Sequence, residues 1–183
     1  MDIMRKLFVS NLMSLDGFFE TPDEKLDWFV VDEEFTDYSD NMLQSVDTLL
    51  FGRKTYQVMA AYWPTAPSDK VSEQMNRLAK MVFSKTLSGT EWNNSRVVRD
   101  NPASEIAKLK QQPGKDMVIL GSAMLASCLL AQGLVDEYRT ILNPVLLGRG
   151  NSLFRDVKHK LAMKLKGTQS FRSGVTVLYY QKS

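Results

Sequence analysis

The chain is poor in the residues from which most reactive centres are built. It has one cysteine, Cys128, and one histidine, His159, among 183 residues. A disulfide within the chain is therefore excluded. So is a zinc site of cysteine and histidine ligands, which needs three or four of them. A Ser-His-Asp or Cys-His mechanism would have to use His159, which stands among lysines with nothing nearby to support the role. No metal is expected. Cys128 falls in an apolar helical stretch and reads as a small core residue. No run is apolar for long enough to span a membrane, and residues 1–19 contain no long hydrophobic leader core. The expectation is a cytoplasmic protein with no membrane partner. Charge of neither sign is concentrated: the net charge is +2 and the lysines and arginines are scattered, so nucleic acid is not an expected partner. The one basic cluster, Lys158, His159, Lys160, Lys164 and Lys166, reads as the wet face of a strand. Neither a G-x-G-x-x-G fingerprint nor a P-loop is present.

What is present is enough apolar residue, 44%, to build a core, and enough charge, 24%, to keep it in water. The length suits one domain over residues 1–183. Short apolar runs predict strands at 6–12, 47–52, 80–84, 95–100, 116–121 and 134–148. Residues 14–25, with Asp16-Gly17 and Pro22, read as a loop. Helical spacing is clear at 33–46 through Phe35, Tyr38, Met42 and Leu43, and at 53–63 through Tyr56, Met59 and Trp63. It continues at 71–80, at 103–112 after Asn101-Pro102, and at 122–132, where Gly133 is placed as a left-handed C′ residue. Residues 160–171 and 174–182 alternate and predict a final hairpin. The fold class is α/β: a mixed, mostly parallel central sheet with a C-terminal antiparallel hairpin.

In open α/β sheets, ligands sit beyond the carboxyl ends of the strands. Four such ends stand out: Asn11–Gly17, Gly52-Arg53-Lys54-Thr55, Ser84-Lys85-Thr86 and Gly121-Ser122-Ala123. Gly52 and Gly121 let backbone approach a ligand, and each precedes a helix N-terminus, where free N–H groups attract phosphate. Arg53 adds a guanidinium fork, Thr55 and Ser84 add hydroxyls, and Lys85 adds a second cation. Each feature alone is an ordinary turn or N-cap; three of them on one sheet edge make a site.

These residues resemble a known family. "FGRKTYQ" (51–57) resembles the GR-x-T phosphate turn of dihydrofolate reductase. "MVFSK" (81–85) resembles the strand after which that enzyme uses a serine to hold the adenosine end of NADPH. "MVILGSAMLASCLL" (117–130) resembles its last glycine-rich turn, and "LDWFVVDEEF" (26–35) its substrate-side helix. The likeness to the reductase domain of the bifunctional riboflavin-biosynthesis deaminase/reductase is closer. "GLVDEYRTILNPVLLGRGNSLF" (133–154) is similar to that domain's GL-I/V-DE…P-x-x-LG-x-G-x-x-LF, and "SNLMSLDGF" (10–18) to its A-x-SLDG opening. The likeness covers residues 5–181.

The resemblance implies a three-layer, dihydrofolate-reductase-like fold with a sheet of about eight strands, NADPH as cofactor, and a homodimer. It implies a cofactor cradle of Gly52, Arg53, Thr55, Ser84, Lys85, Gly121, Ser122, Ala123, Met124 and Leu125, with Asn11 and Leu12 near the nicotinamide. Asp16 and Asp27 are the candidates for substrate binding or proton supply. Trp28, Tyr56 and Thr140 are candidates for the substrate side, with core packing the alternative for the two aromatics. Arg149 lies between two glycines and reads as a solvated loop residue. Departures accompany the likeness. Ile119 stands where riboflavin reductases carry an acid, their T-x-R after the second strand has no counterpart, and Lys25 stands in the folate-binding acid's position. The expected function is NADPH-dependent hydride transfer to a small heterocyclic or ribosylaminopyrimidine-type substrate; the alternative is a non-catalytic nucleotide-binding domain of the same fold.

Overall fold

Apolar runs that alternate with helical repeats oblige the chain to cross back over its own sheet between parallel strands. The computed structural model describes residues 4–23, 25, 27–154, 157 and 160–183. In chain order the elements are β1 (Leu7–Ser14), β2 (Phe18–Glu20), α1 (Glu33–Gln44), β3 (Val46–Gly52), α2 (Arg53–Tyr62), a 3-10 turn (Trp63–Thr65), α3 (Lys70–Arg77), β4 (Ala79–Phe83), β5 (Ser95–Val98), α4 (Pro102–Lys110), β6 (Asp116–Leu120), α5 (Ala123–Ala131), β7 (Glu137–Asn143), β8 (Asn151–Ser152), β9 (Met163–Ser170) and β10 (Thr176–Lys182). Eight strands form one sheet in the order β5-β4-β3-β6-β1-β7-β10-β9. The first six are mutually parallel, and β10 then runs antiparallel to both β7 and β9.

Both faces of the parallel part are covered, which is why its strands are nearly continuous apolar runs. Leu7, Val9, Leu50, Met81, Met117 and Ile119 pack with Ile106 of α4 and Leu125 and Leu129 of α5. The alternate residues Phe8, Leu49, Phe51, Val82 and Val118 pack with Met42 and Leu43 of α1, Tyr56 of α2 and Met75 of α3. The result is the three-layer arrangement expected. Gly133 sits at φ +70. Its N–H donates to the Leu130 carbonyl, and that of Leu134 to the Leu129 carbonyl, so α5 ends in the predicted C′ glycine.

Three expectations are corrected. Residues 14–25 are not all loop: β2 lies among them and pairs with β8. Its three residues are too few to show a period. The strand predicted over 134–148 is β7 alone, because Pro144 has no N–H to donate and the chain turns into Gly148 at φ +70. Cys128 is exposed. It shares an i, i+4 stripe with Met124, which is 70% exposed, so it points away from the sheet. Lys80, placed at a strand start, is 1% exposed. Its ammonium donates to the carbonyls of Asn76, Leu78 and Asn93 and lies 4.3 Å from the centre of the Trp92 ring. Of the basic cluster, Lys160, Lys164 and Lys166 are exposed, while Lys158 and His159 lie outside the described residues.

Candidate functional site

Sheet register sets the predicted turns side by side. Gly52 is the register partner of Phe83, the residue before Ser84, and Leu50 pairs Ile119, two residues before Gly121. On the other side, Ser10 pairs Leu120 and Asn11 pairs Thr140. Ser84, Gly52, Gly121, Asn11 and Thr140 thus form a row across five neighbouring strands, β4 to β7.

The centre of the row is an interlocked corner. The Gly52 N–H donates to Ser122 Oγ at 2.9 Å, and the Ser122 N–H donates to Thr55 Oγ1 at 3.2 Å. Gly121 and Ser122 are both left-handed, at φ +64 and +48. A Cβ on Gly121 would lie 3.0 Å from Thr55 Cγ2, so closeness as well as conformation requires glycine there. Ser122 holds the N-cap position of α5 but makes no cap bond, because its hydroxyl is turned to the neighbouring turn.

The consequence shows when the five α-helices of the described residues are compared. Asp32, Asp69 and Asn101 cap α1, α3 and α4 through their side chains, and each of those helices has an acidic residue in its first turn. The two helices that start at the corner, α2 and α5, have no side-chain cap and no first-turn acid. Neither helix start carries a capping side chain or an acid of its own to offset its dipole end, which is the arrangement that attracts an anion. Arg53 is exposed at the start of α2, and one guanidinium nitrogen donates to Gln57 Oε1 at 3.3 Å. Lys85 is exposed beside it in the β4 turn, where Ser84 Oγ accepts from the N–H groups of Thr86 and Leu87. Ala123 and Leu125 are buried, while Met124 projects into solvent.

The β1–β7 half of the edge is built differently. Asn11 is 3% exposed; its amide donates to the Tyr138 hydroxyl at 3.3 Å, and its Oδ1 has no partner among the described residues. Thr140 is buried beside it, between Asn11 and Leu178. Leu12 packs instead on the α1 side of the sheet, against the cluster of Tyr38, Ile141 and Val177. Trp28 stacks edge-on to Phe29, and its indole N–H is buried without a partner among the described residues. Its segment is tied to the end of β7 by the Val30 N–H, which donates to Asn143 Oδ1 at 2.9 Å.

Two candidates are taken up by protein partners. Tyr56 does not face the edge: it is 4% exposed, packs on Trp92 beneath α2, and its hydroxyl accepts from the Trp92 N–H at 3.2 Å. It shares its helix face with Met59, Ala60 and Trp63, and that face is the core face. Asp16 is exposed but fully engaged. It accepts from Ser14 Oγ at 2.6 Å and from the N–H groups of Leu147 and Gly148 at 3.2 and 2.7 Å. Those bonds hold its carboxyl below the ordinary value of 3.8, so it is ionised near neutrality and clamps the 146–148 turn to the end of β1. Asp27 is exposed beside Lys25, which pairs with Asp23 at 2.7 Å. Ile119 is wholly buried in the core.

The family model described as RibD C-terminal domain matches residues 5–177. The chain belongs to that family. The uncharacterized protein YyaP of Bacillus subtilis (strain 168) is 35% identical over 182 residues, covering 96% of this chain and 94% of that protein. A putative riboflavin biosynthesis protein from Shewanella sp. PV-4 shares the fold at TM-score 0.78 and 21% identity, over 97% of this chain and 99% of its own. Dihydrofolate reductase from Enterococcus faecalis, solved with NADP(H), aligns at TM-score 0.65 and 14% identity, over 97% and 96%. Within this RibD C-terminal domain, the 133–154 block that carries the resemblance is largely architectural. Gly133 ends α5, and Asp136 accepts from the Leu7 N–H at 2.7 Å and from Lys110 Nζ at 2.5 Å. Gly148 takes the Asp16 clamp. What the sequence reading missed is the pair of uncapped helices, although the absence of acid from "GRKT" and "GSAM" was there to be read.

Proposed function

We propose that this protein is an NADPH-dependent reductase of the riboflavin-reductase type, acting on a small heterocyclic or ribosylaminopyrimidine-type substrate. One observation carries the reading. Of five helices, the two whose N-termini adjoin on neighbouring strands are the two that lack both side-chain cap and first-turn acid. The donor set fits a dinucleotide. The backbone N–H groups at the start of α2 and α5 take the diphosphate, with Arg53 and Lys85 available to a 2′-phosphate. Ser122 and Thr55 bond the two turns to each other. Asn11, with an unpartnered buried oxygen, and Thr140 form the floor next to the corner, where a carboxamide finds an acceptor. When bound, the nicotinamide supplies the hydride.

The chain's own contribution is position and exclusion of water. Trp28 presents an unpartnered indole N–H at the β7 end of the edge, suited to a carbonyl or ring nitrogen of the substrate. Asp16 orders the 146–148 turn beside it. A second reading, nucleotide binding without turnover, is favoured by the engagement of Asp16 and by the burial of Ile119, which leave Asp27 as the remaining candidate acid.

Titration with NADPH and NADH, followed by fluorescence, tests the reading. NADPH is expected to bind more tightly than NADH, and Arg53→Ala to weaken NADPH about tenfold with little effect on NADH. Equal binding of both nucleotides by the variant and the parent removes Arg53 from the site, and no binding of either ends the proposal. NADPH binding with no oxidation by aminopyrimidine or imine substrates selects the second reading.

A further inference from the structure

A cleft of about 520 Å³ opens on the α1 side of the sheet, between that helix and strands β7, β10 and β9. The residues of the anion corner are not part of it. Its lining includes Glu34, Asp37, Tyr38, Arg139, Gln169 and Tyr179.

Arg139 is the organising group. Its guanidinium carbon lies 3.7 Å from the centre of the Phe8 ring and 5.5 Å from that of Tyr179. Its Nε donates to Glu137 Oε1 at 2.6 Å, and the side chain is 18% exposed. The two terminal nitrogens of the fork have no protein acceptor among the described residues. Stacking and the Nε bond fix the fork in place, so little conformational freedom is lost when it takes a ligand. Tyr38, in the same lining, is 7% exposed, and its hydroxyl, set near those of Ser10 and Tyr179, makes no hydrogen bond of ordinary length among the described residues. Burial pushes that phenol well above its ordinary value, so it stays protonated and able to donate. Beside it the Tyr179 hydroxyl donates to Gln169 Oε1 at 3.2 Å.

The cleft's acids do not oppose an anion as strongly as their number suggests. Asp37 is paired with Lys70. Glu34 is paired with Arg172 at 3.5 Å and also accepts that residue's N–H at 2.7 Å. Glu137 balances the charge of Arg139. The cleft therefore offers oriented donors and aromatic walls rather than net positive charge. Donors in a planar fork match a carboxylate, and the walls match a flat ring.

We propose that this cleft is a second ligand site, which takes a small ring-bearing carboxylate through the Arg139 fork and the Tyr38 hydroxyl. Ligand-observed NMR titration of the whole protein tests it, with benzoate as probe and benzamide and inorganic phosphate as controls. Benzoate is expected to bind, with benzamide and phosphate at least about tenfold weaker. Arg139→Lys and Tyr38→Phe are each expected to weaken benzoate several-fold or more, and Arg53→Ala to leave it unchanged. No benzoate binding at millimolar concentration overturns the proposal, as does equal binding of benzamide. Unchanged affinity in Tyr38→Phe, which keeps the ring, also overturns it even where Arg139→Lys fails to fold. NADPH titrated into the same samples keeps the two sites apart: benzoate failing while NADPH binds sinks only this inference, and the converse sinks only the cofactor site.

Discussion

The two halves of the sheet's carboxyl edge are built on opposite plans. At the β3–β6 half, side chains serve backbone: Ser122 and Thr55 take the N–H groups of the neighbouring turn, and the helix ends are left open. At the β1–β7 half, backbone is sealed and side chains are left over: Asp16 closes the 146–148 turn, while Asn11 Oδ1 and the Trp28 indole have no partner. The first half is a generic anion holder made of main chain. The second is a set of specific, unsatisfied groups, the kind that discriminates between ligands because an unmatched partner leaves them unpaired.

The difference can be broken most severely at Gly121. Gly121→Val forces a β-branched residue into φ +64 and drives its Cβ onto Thr55, at a cost of about 2 kcal/mol or more. A lower midpoint in urea and loss of NADPH binding are expected; retained affinity would mean that the corner does not hold the anion. Next comes Tyr56→Phe, which strands the buried Trp92 N–H and costs about 1–3 kcal/mol, with cofactor affinity unchanged. A change in affinity without loss of stability would return Tyr56 to the site.

Ser122→Ala removes the acceptor of the Gly52 N–H while keeping the left-handed backbone. It should cost about 1 kcal/mol and weaken NADPH a few-fold, since only the spacing of the two turns is relaxed. The smallest effect is expected at Asp16. Its folded carboxyl lies below 3.8, so its bonds to the 146–148 turn are complete above the unfolded value and are lost as pH falls through the lower, folded one. Hydrogen exchange at the Leu147 and Gly148 amides, corrected for intrinsic rate, should rise only in acid. In Asp16→Asn it should be raised at every pH.

Much of this was legible because each strand and helix carries its own period. The resemblance implied the number of strands but not their order, since register depends on long-range pairing that composition does not encode. The β2–β8 pair escaped because two and three residues hold no period. For Tyr56 the choice between substrate side and core stayed open for a different reason. Its spacing with Met59 and Trp63 showed which residues share a face, but not whether that face meets the core or the ligand. Ser122 reads as an N-cap in any sequence, and only the partner turn reveals why its hydroxyl is turned away. Within the candidate site, the turns were readable from glycine and from helix starts. The leftover groups, Asn11 Oδ1 and Trp28 Nε1, are defined by what fails to approach them, and no local pattern records that.

Lys80 gives the molecule a built-in reporter. Its amine is shut in by three carbonyls and the Trp92 ring, near the start of the strand that leads to Ser84. An amine-directed reagent modifies surface lysines at once but reaches Lys80 only when β4 parts from α3 and the 93–94 turn. The rate at which that one lysine becomes labelled, read by mass spectrometry, is therefore a clock for how often this side of the sheet opens.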